Sequence, residues 1–329
     1  MTGESLANGT SLTRRNRGFA PLLRVRSPCA AARLVPTLQC VPELPEVEIT
    51  TRRLGASLEG IEVESALAPG MVALRSVDPP LSALTGRPIE GIGRIGKMPV
   101  VAFGPGGEGE DGRLDLLIHL MSAGRLQVYD KRASLRDRRS RVLIRLADGR
   151  ELRLREFGTK QRAWAKLLRD GQVQDEEMVA TLGPEAWPAP DLETLARIVD
   201  QPRHLHPMLR DQRAIAGIGR SWVDEILWEA RLSPFKRGSD LEPEEVERLH
   251  DALHVLGDAL DHYEEAIDER VPDKLPMPLH VHKRQGEPCP RCGTTLAAVH
   301  FAEHVTTYCP DEQTGGRVLK DRRLSRLLK

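Results

Sequence analysis

The cysteine cluster near the C-terminus constrains the fold of this chain most strongly. Cys289-Pro-Arg-Cys292-Gly places two thiols on one short turn, and Cys309-Pro follows after a segment long enough for a β-hairpin. Thiolates with this spacing reach one tetrahedral ion, as they do in zinc ribbons. Five cysteines in 329 residues are too few and too clustered for a disulfide scaffold. The pattern therefore favours a metal site in a reducing compartment.

The fourth ligand of this site is not fixed by the spacing. A zinc ribbon would repeat Cys-x-x-Cys in its second half, whereas the chain reads Cys309-Pro-Asp-Glu312. Glu312, His304 or His300 would each complete a site with three thiolates. The alternative is a hairpin that folds without metal and keeps its thiols. We expect Zn²⁺ to bind, with Glu312 as the fourth ligand.

Two periodicities divide the rest of the chain. Residues 42 to about 166 contain short apolar runs split by glycine, proline and aspartate, which predicts an antiparallel β domain. Within this region, the spacing around Val47 predicts a helix that ends at Gly60. Residues 191 to about 269 repeat apolar positions every three or four residues, which predicts helices. The expected fold class is α+β with several domains.

The charge distribution limits how the chain can bind a polyanion. Its 48 basic and 48 acidic residues give a formal net charge of zero, so any DNA affinity has to come from local patches. The basic loop 131–141 and the basic tail 317–329 are candidates, although each is also typical of a solvated surface. No apolar run has the length of a membrane span.

Residues 1–40 differ from the remainder. They contain six arginines and one acidic residue, Glu4, with several serines and threonines, a composition typical of a mitochondrial transit peptide. We favour another interpretation, in which Val41 is a GTG start codon read as valine. Arginine outnumbers lysine throughout the chain, as translation of GC-rich DNA produces. Initiation at position 41 and removal of the methionine would leave Pro42 as the first residue.

A Gly217-Ile218-Gly219 turn precedes a predicted helix. Backbone N–H groups at such a helix start suit a phosphate, although a Gly-x-Gly before a helix is more often only a tight turn.

Three separated stretches together carry a resemblance to a known family. "PELPEVE", "LRDQRAIAGIG…DEIL" and "GEPCPRCG…TTYCP" occur in the order and approximate spacing of the formamidopyrimidine-DNA glycosylase and endonuclease VIII family. "GRIGKM", "IHLMSAG", "REFG" and "LGPEAW" add support. The chain resembles this family from residue 42 to its C-terminus. The resemblance implies an antiparallel β-sandwich, a helix-two-turn-helix domain and a zinc-ribbon-like β-hairpin, with DNA in the cleft between them.

The domain boundaries expected from this resemblance follow the periodicities. Residues 1–41 form an extension absent from the mature protein, and residues 42–166 form the catalytic β-sandwich. Residues 167–280 form the helix-two-turn-helix domain. Residues 281–329 form a degenerate zinc-finger hairpin and a basic tail.

The family uses the secondary amine of an N-terminal proline to attack the sugar of a damaged nucleotide. A terminal amine has a pKa of about 8, so a useful fraction is neutral at physiological pH. The resemblance implies that Pro42 is the nucleophile and that Glu43 assists sugar-ring opening as an acid/base group. It makes Glu46 a supporting carboxylate and Lys97 a hairpin lysine that contacts phosphate and helps elimination. Within a peptide bond, the Pro42 nitrogen would not be nucleophilic. Either translation starts at Val41, or a protease exposes Pro42, or the protein binds DNA without cutting it.

The resemblance also implies DNA contacts. In a wedge loop, the Phe157 ring inserts into the base stack and Arg155 faces the orphaned base, while His119 touches backbone phosphate. The alternative for Phe157 is a place in the strand core. The DNA-binding set is completed by Gly219, Arg220 and His304.

Three positions depart from the family pattern. Arg220 stands where the family usually has asparagine, and it still suits phosphate with a different geometry. Ser122 aligns with the family's wedge methionine, with Met121 one residue out of step. His304 aligns with the hairpin arginine that grips lesion phosphates and promotes the second elimination. We therefore expect β-elimination to dominate over δ-elimination.

The function expected from these features is a bifunctional DNA glycosylase and AP lyase that excises oxidised bases through a Schiff base on Pro42. Its partner would be damaged double-stranded DNA, with no membrane, and it would act as a monomer. The expected location is the bacterial cytoplasm at the nucleoid, or a mitochondrion or nucleus in a eukaryote. The alternatives are a damaged-DNA-binding protein without catalysis and a zinc-ribbon interaction module.

Overall fold

The computed structural model describes residues 41–70, 72–107, 112–134, 136–158, 160–301 and 304–319. The expected N-terminal extension up to residue 40 and the basic tail from residue 320 lie outside these ranges. Across the described part of the chain, every helix is too short or too polar to span a bilayer.

Two four-stranded antiparallel sheets form a sandwich, which confirms the predicted β architecture. One sheet has the order β1-β6-β7-β5, and the other has the order β2-β3-β4-β8. Alternating apolar side chains of the two sheets bury a common core. The expected domain boundary at residue 166 falls inside β8, which continues to Arg169. In chain order the strands are β1 (Val63–Leu67), β2 (Ile89–Ile95), β3 (Met98–Phe103), β4 (Leu114–His119), β5 (Gly124–Tyr129), β6 (Ser140–Leu146), β7 (Glu151–Glu156) and β8 (Trp164–Arg169).

Helix α1 (Leu44–Leu58) precedes the sandwich and belongs to two cores. Its Val47 face packs on the sheets, whereas Leu44 and Ile49 pack among the helices that follow. The helix ends at Leu58, two residues before the predicted end, and Gly60 then adopts a left-handed φ of 81°. Because both cores share α1, the start of the helix is held between them.

The central region is helical, as the periodicity predicts. Its core surrounds the fully buried Trp222 and Tyr263. The helices are α2 (Glu177–Ala180), α3 (Leu192–Val199), α4 (Leu205–Leu209), α5 (Arg220–Glu229), α6 (Pro243–Asp251) and α7 (Val255–Ala266).

A C-terminal hairpin of β9 (Ala297–Phe301) and β10 (His304–Tyr308) is followed by the short helix α8 (Pro310–Thr314). Two buried acids of α5 hold this region. The Asp224 carboxylate lies 2.7 Å from His282 Nδ1 and accepts the Thr307 N–H at 3.1 Å. The Glu225 carboxylate accepts the backbone N–H groups of residues 280, 281 and 282 at 2.8–2.9 Å. Helix α5 therefore fixes the hairpin relative to the helical core.

Candidate active-site cleft

The start of α1 opens into a cleft of about 610 Å³. Four segments surround it: the β2–β3 turn, the loop after β4, residues 178–182, and the α4–α5 connection. The sequence-predicted residues Pro42, Glu43, Lys97, His119, Gly219 and Arg220 all line this cleft, together with Met121, Ser122 and Arg210.

Glu43 occupies the N-terminus of α5. Its carboxylate accepts the backbone N–H of Ser221 at 2.8 Å and that of Trp222 at 3.3 Å. A Cβ atom on Gly219 would lie only 2.2 Å from the Glu43 Cδ, so the turn needs glycine there. The helix start does bind an anion, but that anion is the Glu43 carboxylate and not the phosphate considered from the sequence.

The first glycine of the turn makes room for the beginning of α1. Gly217 has a φ of 101°, and a Cβ atom on it would lie 2.3 Å from Leu44 Cδ1. Its carbonyl accepts the Leu44 N–H at 3.0 Å. Gln212 fastens the turn from within, because its Oε1 accepts the Gly217 N–H at 3.0 Å and its Nε2 donates to the Ile218 carbonyl at 2.8 Å. Both glycines therefore position the segment that carries Pro42.

Glu46 lies buried beneath Glu43 and does not line the cleft. Its carboxylate accepts hydrogen bonds from Tyr263 Oη at 2.7 Å, Trp222 Nε1 at 3.1 Å and the Glu43 N–H at 2.9 Å. Burial and the charge of Glu43 outweigh these donors and raise the pKa of Glu46 to about 7. Glu46 thus supports the backbone of Glu43 instead of meeting substrate.

Lys97 lies on the β2–β3 turn and reaches across the cleft. Its Nζ donates to the Ile218 carbonyl at 2.6 Å, and burial lowers the pKa of Lys97 although the Glu43 charge opposes this shift. Glu185 fixes the turn by accepting the Gly96 N–H at 2.6 Å and pairing with Arg94 at 2.5 Å. A lysine with a lowered pKa exchanges protons more readily near neutral pH.

His119 lies at the end of β4, on the opposite wall. Its Nδ1 accepts the Met121 N–H at 3.0 Å, so Nε2 carries the proton of the neutral ring. Burial, together with the charges of Arg75 and Lys97, lowers the pKa of His119. Met121 adopts a left-handed φ of 52°, and the adjacent Ser122 is exposed.

The predicted wedge residues Arg155 and Phe157 do not line the cleft, although the Phe157 N–H donates at 3.1 Å to the carbonyl of Ala123, which follows the lining residue Ser122. Phe157 follows the last residue of β7 and is half-buried, which disfavours the alternative that it belongs to the strand core. The guanidinium groups of Arg155 and Arg139 lie 4.9 and 5.3 Å from its ring centroid. Arg155 also donates to Tyr129 Oη at 2.8 Å. The ring is therefore flanked by two cations.

The hairpin meets the cleft through His304. Its Nε2 lies 3.0 Å from Nη2 of Arg220, the first residue of α5. The two departures from the family pattern at these positions are therefore in direct contact.

The three predicted thiols converge. The sulfur atoms of Cys289, Cys292 and Cys309 all lie within 4.8 Å of one another, with 3.4 Å between those of Cys292 and Cys309. Thiolates about this far apart suit three corners of a tetrahedral zinc site, so the donor set fits Zn²⁺. Among the described residues, no histidine, aspartate or glutamate joins this group.

The expected role of Glu312 as fourth ligand needs correction. Its carboxylate instead lies 3.1 Å from Arg231 Nε and 3.3 Å from Arg291 Nη1. Arg291 stands between the first two cysteines of the cluster and packs over the Trp228 ring at 4.0 Å. Arg231, which lies far from the cysteine motif in sequence, could not be linked to Glu312 from the spacing alone.

Sequence reasoning missed several residues that build the cleft. Trp222 and Tyr263 support Glu46, Gln212 fastens the glycine turn, and Arg210 lines the cleft directly. The only sequence signal was the proximity of Gln212 and Arg210 to the glycine turn, and nothing in the local pattern linked Tyr263 to Glu46.

Fold and site together define a class. The cleft lies between a β-sandwich and a helical domain, and its arginines suit a polyanionic nucleic acid. The proline and the acid beside a lysine suit attack on that nucleic acid by an amine. The model of the formamidopyrimidine-DNA glycosylase N-terminal domain matches residues 41–160, and that of the corresponding H2TH domain matches residues 182–270. The zinc finger found in FPG and IleRS matches residues 286–311.

Individual relatives agree. A formamidopyrimidine-DNA glycosylase of Roseiflexus sp. (strain RS-1) is 32% identical over 292 residues, which cover 83% of this chain and 100% of the relative. The enzyme of that name from Enterococcus faecalis is 30% identical over 298 residues, covering 85% and 100%. The crystal structure of Lactococcus lactis Fpg (MutM) with DNA containing N7-benzyl-Fapy-dG is 27% identical, with a TM-score of 0.72, and the match covers 83% of this chain and 100% of that one. The chain belongs to the formamidopyrimidine-DNA glycosylase family.

Proposed function

We propose that this protein is a DNA glycosylase with AP lyase activity that removes oxidised bases during base-excision repair. The observation that carries the proposal is the placement of Pro42 and Glu43 at the cleft, with Glu43 fixed on the α5 N-terminus through Gly219. Family membership supports the same function. Duplex DNA with a damaged base is the proposed partner, and we expect the protein to act as a monomer.

The nucleophile we propose is the Pro42 nitrogen, in a form of the protein that begins at this residue. Its lone pair forms a bond to the sugar C1′ while the bond between C1′ and the base breaks. The base leaves with that electron pair and takes a proton from water, and the N–H proton of Pro42 passes to Glu43. An amide nitrogen lacks this reactivity, so the peptide bond between Val41 and Pro42 has to be absent. The family-model match, which begins at residue 41, is consistent with this start.

Glu43 and Lys97 supply the proton transfers that follow. Glu43 delivers a proton to the sugar ring oxygen as the ring opens, which leaves an iminium between C1′ and the Pro42 nitrogen. The iminium acidifies the C2′ proton, whose removal expels the 3′ phosphate by β-elimination. Lys97 faces the same cleft and has a lowered pKa, so it suits contact with that phosphate and aid to the elimination. Water then hydrolyses the Schiff base and releases the enzyme.

We propose that the reaction stops mainly at β-elimination. The hairpin carries His304 at the position aligned with the family's arginine, and its ring is engaged by Arg220. Gel analysis of cleaved DNA distinguishes the unsaturated aldehyde product of β-elimination from the 3′ phosphate of δ-elimination. Predominance of the 3′ phosphate would contradict this part of the proposal.

Borohydride trapping on a duplex with an abasic site tests the function. Protein that begins at Pro42 is expected to form a covalent adduct, and the same chain with residues 1–41 attached is expected to form none. A variant of exposed Lys274 (Lys274→Ala) should keep the adduct, because it removes an amine outside the cleft. Failure of the Pro42-initiated protein to form any adduct would instead support a protein that binds damaged DNA without catalysis.

We also propose the domain boundaries expected from the sequence, with the boundary at residue 166 moved to the end of β8 at Arg169. The bacterial relatives support a location in the bacterial cytoplasm, where the DNA lies. For the hairpin, we propose that Cys289, Cys292 and Cys309 hold Zn²⁺. The ion would cross-link the two halves of the cysteine cluster and would take no part in the reaction.

A further inference from the structure

Arg210 is a cation of the cleft for which the sequence suggested no role. It directly follows α4 and lines the same cleft as Pro42 and Glu43. Its side chain is half-buried. Within the described ranges, no hydrogen bond or ion pair engages its guanidinium group. No nitrogen of Arg210 is among the buried polar atoms that lack a partner, so the guanidinium group stays accessible from the cleft.

The surroundings of Arg210 do not neutralise it. Burial and the charge of Arg220 lower the pKa of Arg210, and Glu43 is the strongest opposing charge. The Glu43 carboxylate, however, is already hydrogen-bonded by the backbone of Ser221 and Trp222. Among the described residues, no carboxylate pairs with Arg210, which leaves its guanidinium group available to an anion that enters the cleft.

Another arginine of the same segment provides a contrast. The Arg203 guanidinium lies 3.1 Å from the Asp211 carboxylate, so its charge has a partner on the protein. Arg210 has no such partner and instead faces the cleft, where Lys97 and Arg220 also lie. The cleft lining carries four cations against two acids, and the fourth cation is Arg213. This excess of positive charge attracts a polyanion, and a planar guanidinium forms paired hydrogen bonds with phosphate oxygens.

We propose that Arg210 binds a backbone phosphate of the damaged DNA strand, next to the nucleotide attacked by Pro42. It thereby supplies, from the helical domain, a phosphate contact that the hairpin lacks because His304 stands at the position aligned with the family's arginine. The inference rests on the proposed function, since it requires DNA in this cleft.

The test measures binding of Pro42-initiated protein to a duplex with a tetrahydrofuran abasic-site analogue over a series of salt concentrations. This analogue cannot form a Schiff base, so affinity is read without the chemistry. Arg210→Gln is expected to raise Kd on the order of tenfold. It should also reduce the slope of log affinity against log salt by about 0.9, the contribution of one phosphate contact.

The matched control is Arg197→Gln, which removes the same charge from an exposed site on α3 outside the cleft lining. It should leave both Kd and the salt slope unchanged. Arg210→Lys should keep the salt slope and weaken binding, because it retains the charge and loses the planar fork. This variant provides the decisive comparison if Arg210→Gln does not fold, and an unchanged Kd in Arg210→Lys would then overturn the proposal.

The inference is also overturned if folded Arg210→Gln has the same Kd and salt slope as the parent protein. It is likewise overturned if this variant binds more weakly but keeps the parental slope. These results would leave the proposed function intact provided that the parent prefers the analogue over undamaged duplex. If the parent shows no such preference, the proposed function fails, and the role of Arg210 fails with it.

Discussion

Two regions of this protein contact helix α5 by different means. The α1–α5 junction, formed by residues 42–46 and 217–222, uses glycines without room for a Cβ atom and buried carboxylates with defined donors. The cysteine hairpin, formed by residues 286–316, uses three thiols and has Glu312 paired with arginines where a fourth ligand was expected. Steric exclusion fixes the side-chain positions of the first region, whereas ion pairs contribute to holding the second region together.

The difference shows which parts of the molecule tolerate replacement. At the junction, a methyl group added at Gly219 would collide with the Glu43 carboxylate, so this position tolerates little change. In the hairpin, an ion pair can join the two halves of the cysteine cluster in place of one metal bond. Changes at the junction should therefore affect chemistry strongly, while changes in the hairpin should mainly affect stability.

The largest expected effect is that of Gly219→Ala. Its Cβ atom would lie 2.2 Å from Glu43 Cδ, so the carboxylate has to leave its position on α5. We expect the rate of base excision to fall by about a hundredfold or more, as for loss of an acid/base group. Gly93→Ala is the control, because a Cβ atom there meets nothing within 4 Å. Near-parental single-turnover rates in Gly219→Ala would show that the close contact is unimportant.

Glu46 makes the junction sensitive to pH. Its folded-state pKa of about 7 exceeds the ordinary value of 4.5, so the folded protein binds more protons between these pH values. Stability contributed by this group is therefore present below pH 4.5 and is lost as pH rises to 7, by about 3 kcal/mol. Urea unfolding across this range should show the loss in the parent and not in Glu46→Gln. Exposed Glu265→Gln is the control, and a Glu46→Gln profile parallel to the parent would contradict the expectation.

Removal of zinc should affect the hairpin alone. A ligand present at a hundred times its Kd stabilises the folded state by about 2.7 kcal/mol, and a chelator removes this contribution. Hydrogen exchange should then accelerate at residues 286–316 while the amides of Ser221 and Trp222 stay protected. Cys289→Ser should reduce the measured zinc content without added chelator. Equal loss of protection from hydrogen exchange in the hairpin and in the junction would contradict the expectation that zinc stabilises the hairpin alone.

The smallest expected effect is that of Glu312→Gln. Its partners are the largely exposed Arg231 and the more buried Arg291, so loss of these ion pairs should cost about 1 kcal/mol. Glu312→Cys should instead raise zinc affinity by completing a four-thiolate site. Zinc competition with a chromophoric chelator measures this affinity, and thermal unfolding measures stability. If the Glu312→Gln protein loses all bound zinc, Glu312 is a zinc ligand and this expectation is wrong.

The sequence predicted the parts of the molecule that depend on local pattern. Alternation indicated the strands, three-and-four spacing indicated the helices, and the cysteine motif brought the three thiols together. The resemblance located Pro42 and Glu43 before any geometry was known. These features could be predicted because the residues responsible lie close in sequence or in a recurrent order.

Contacts between distant residues could not be predicted in this way. The Glu43 carboxylate meets the Ser221 N–H across a separation of 178 residues, and Tyr263 meets Glu46 across 217. Each pair depends on how α1 docks against the helical core. In the sequence, Arg210 resembles an ordinary surface cation at a helix end. Only the structure shows that it lines the cleft. Glu312 was misassigned because spacing reveals nearness to the thiols but not competition from Arg231.

Peptide mapping by mass spectrometry of the borohydride-reduced complex tests the central claim most directly. Protein purified with Pro42 as its first residue is reacted with abasic DNA, reduced and digested, and the peptide that carries the sugar is sequenced. The account predicts that the added mass lies on the Pro42 nitrogen. A sugar attached to Lys97 or another lysine, with Pro42 unmodified, would contradict it.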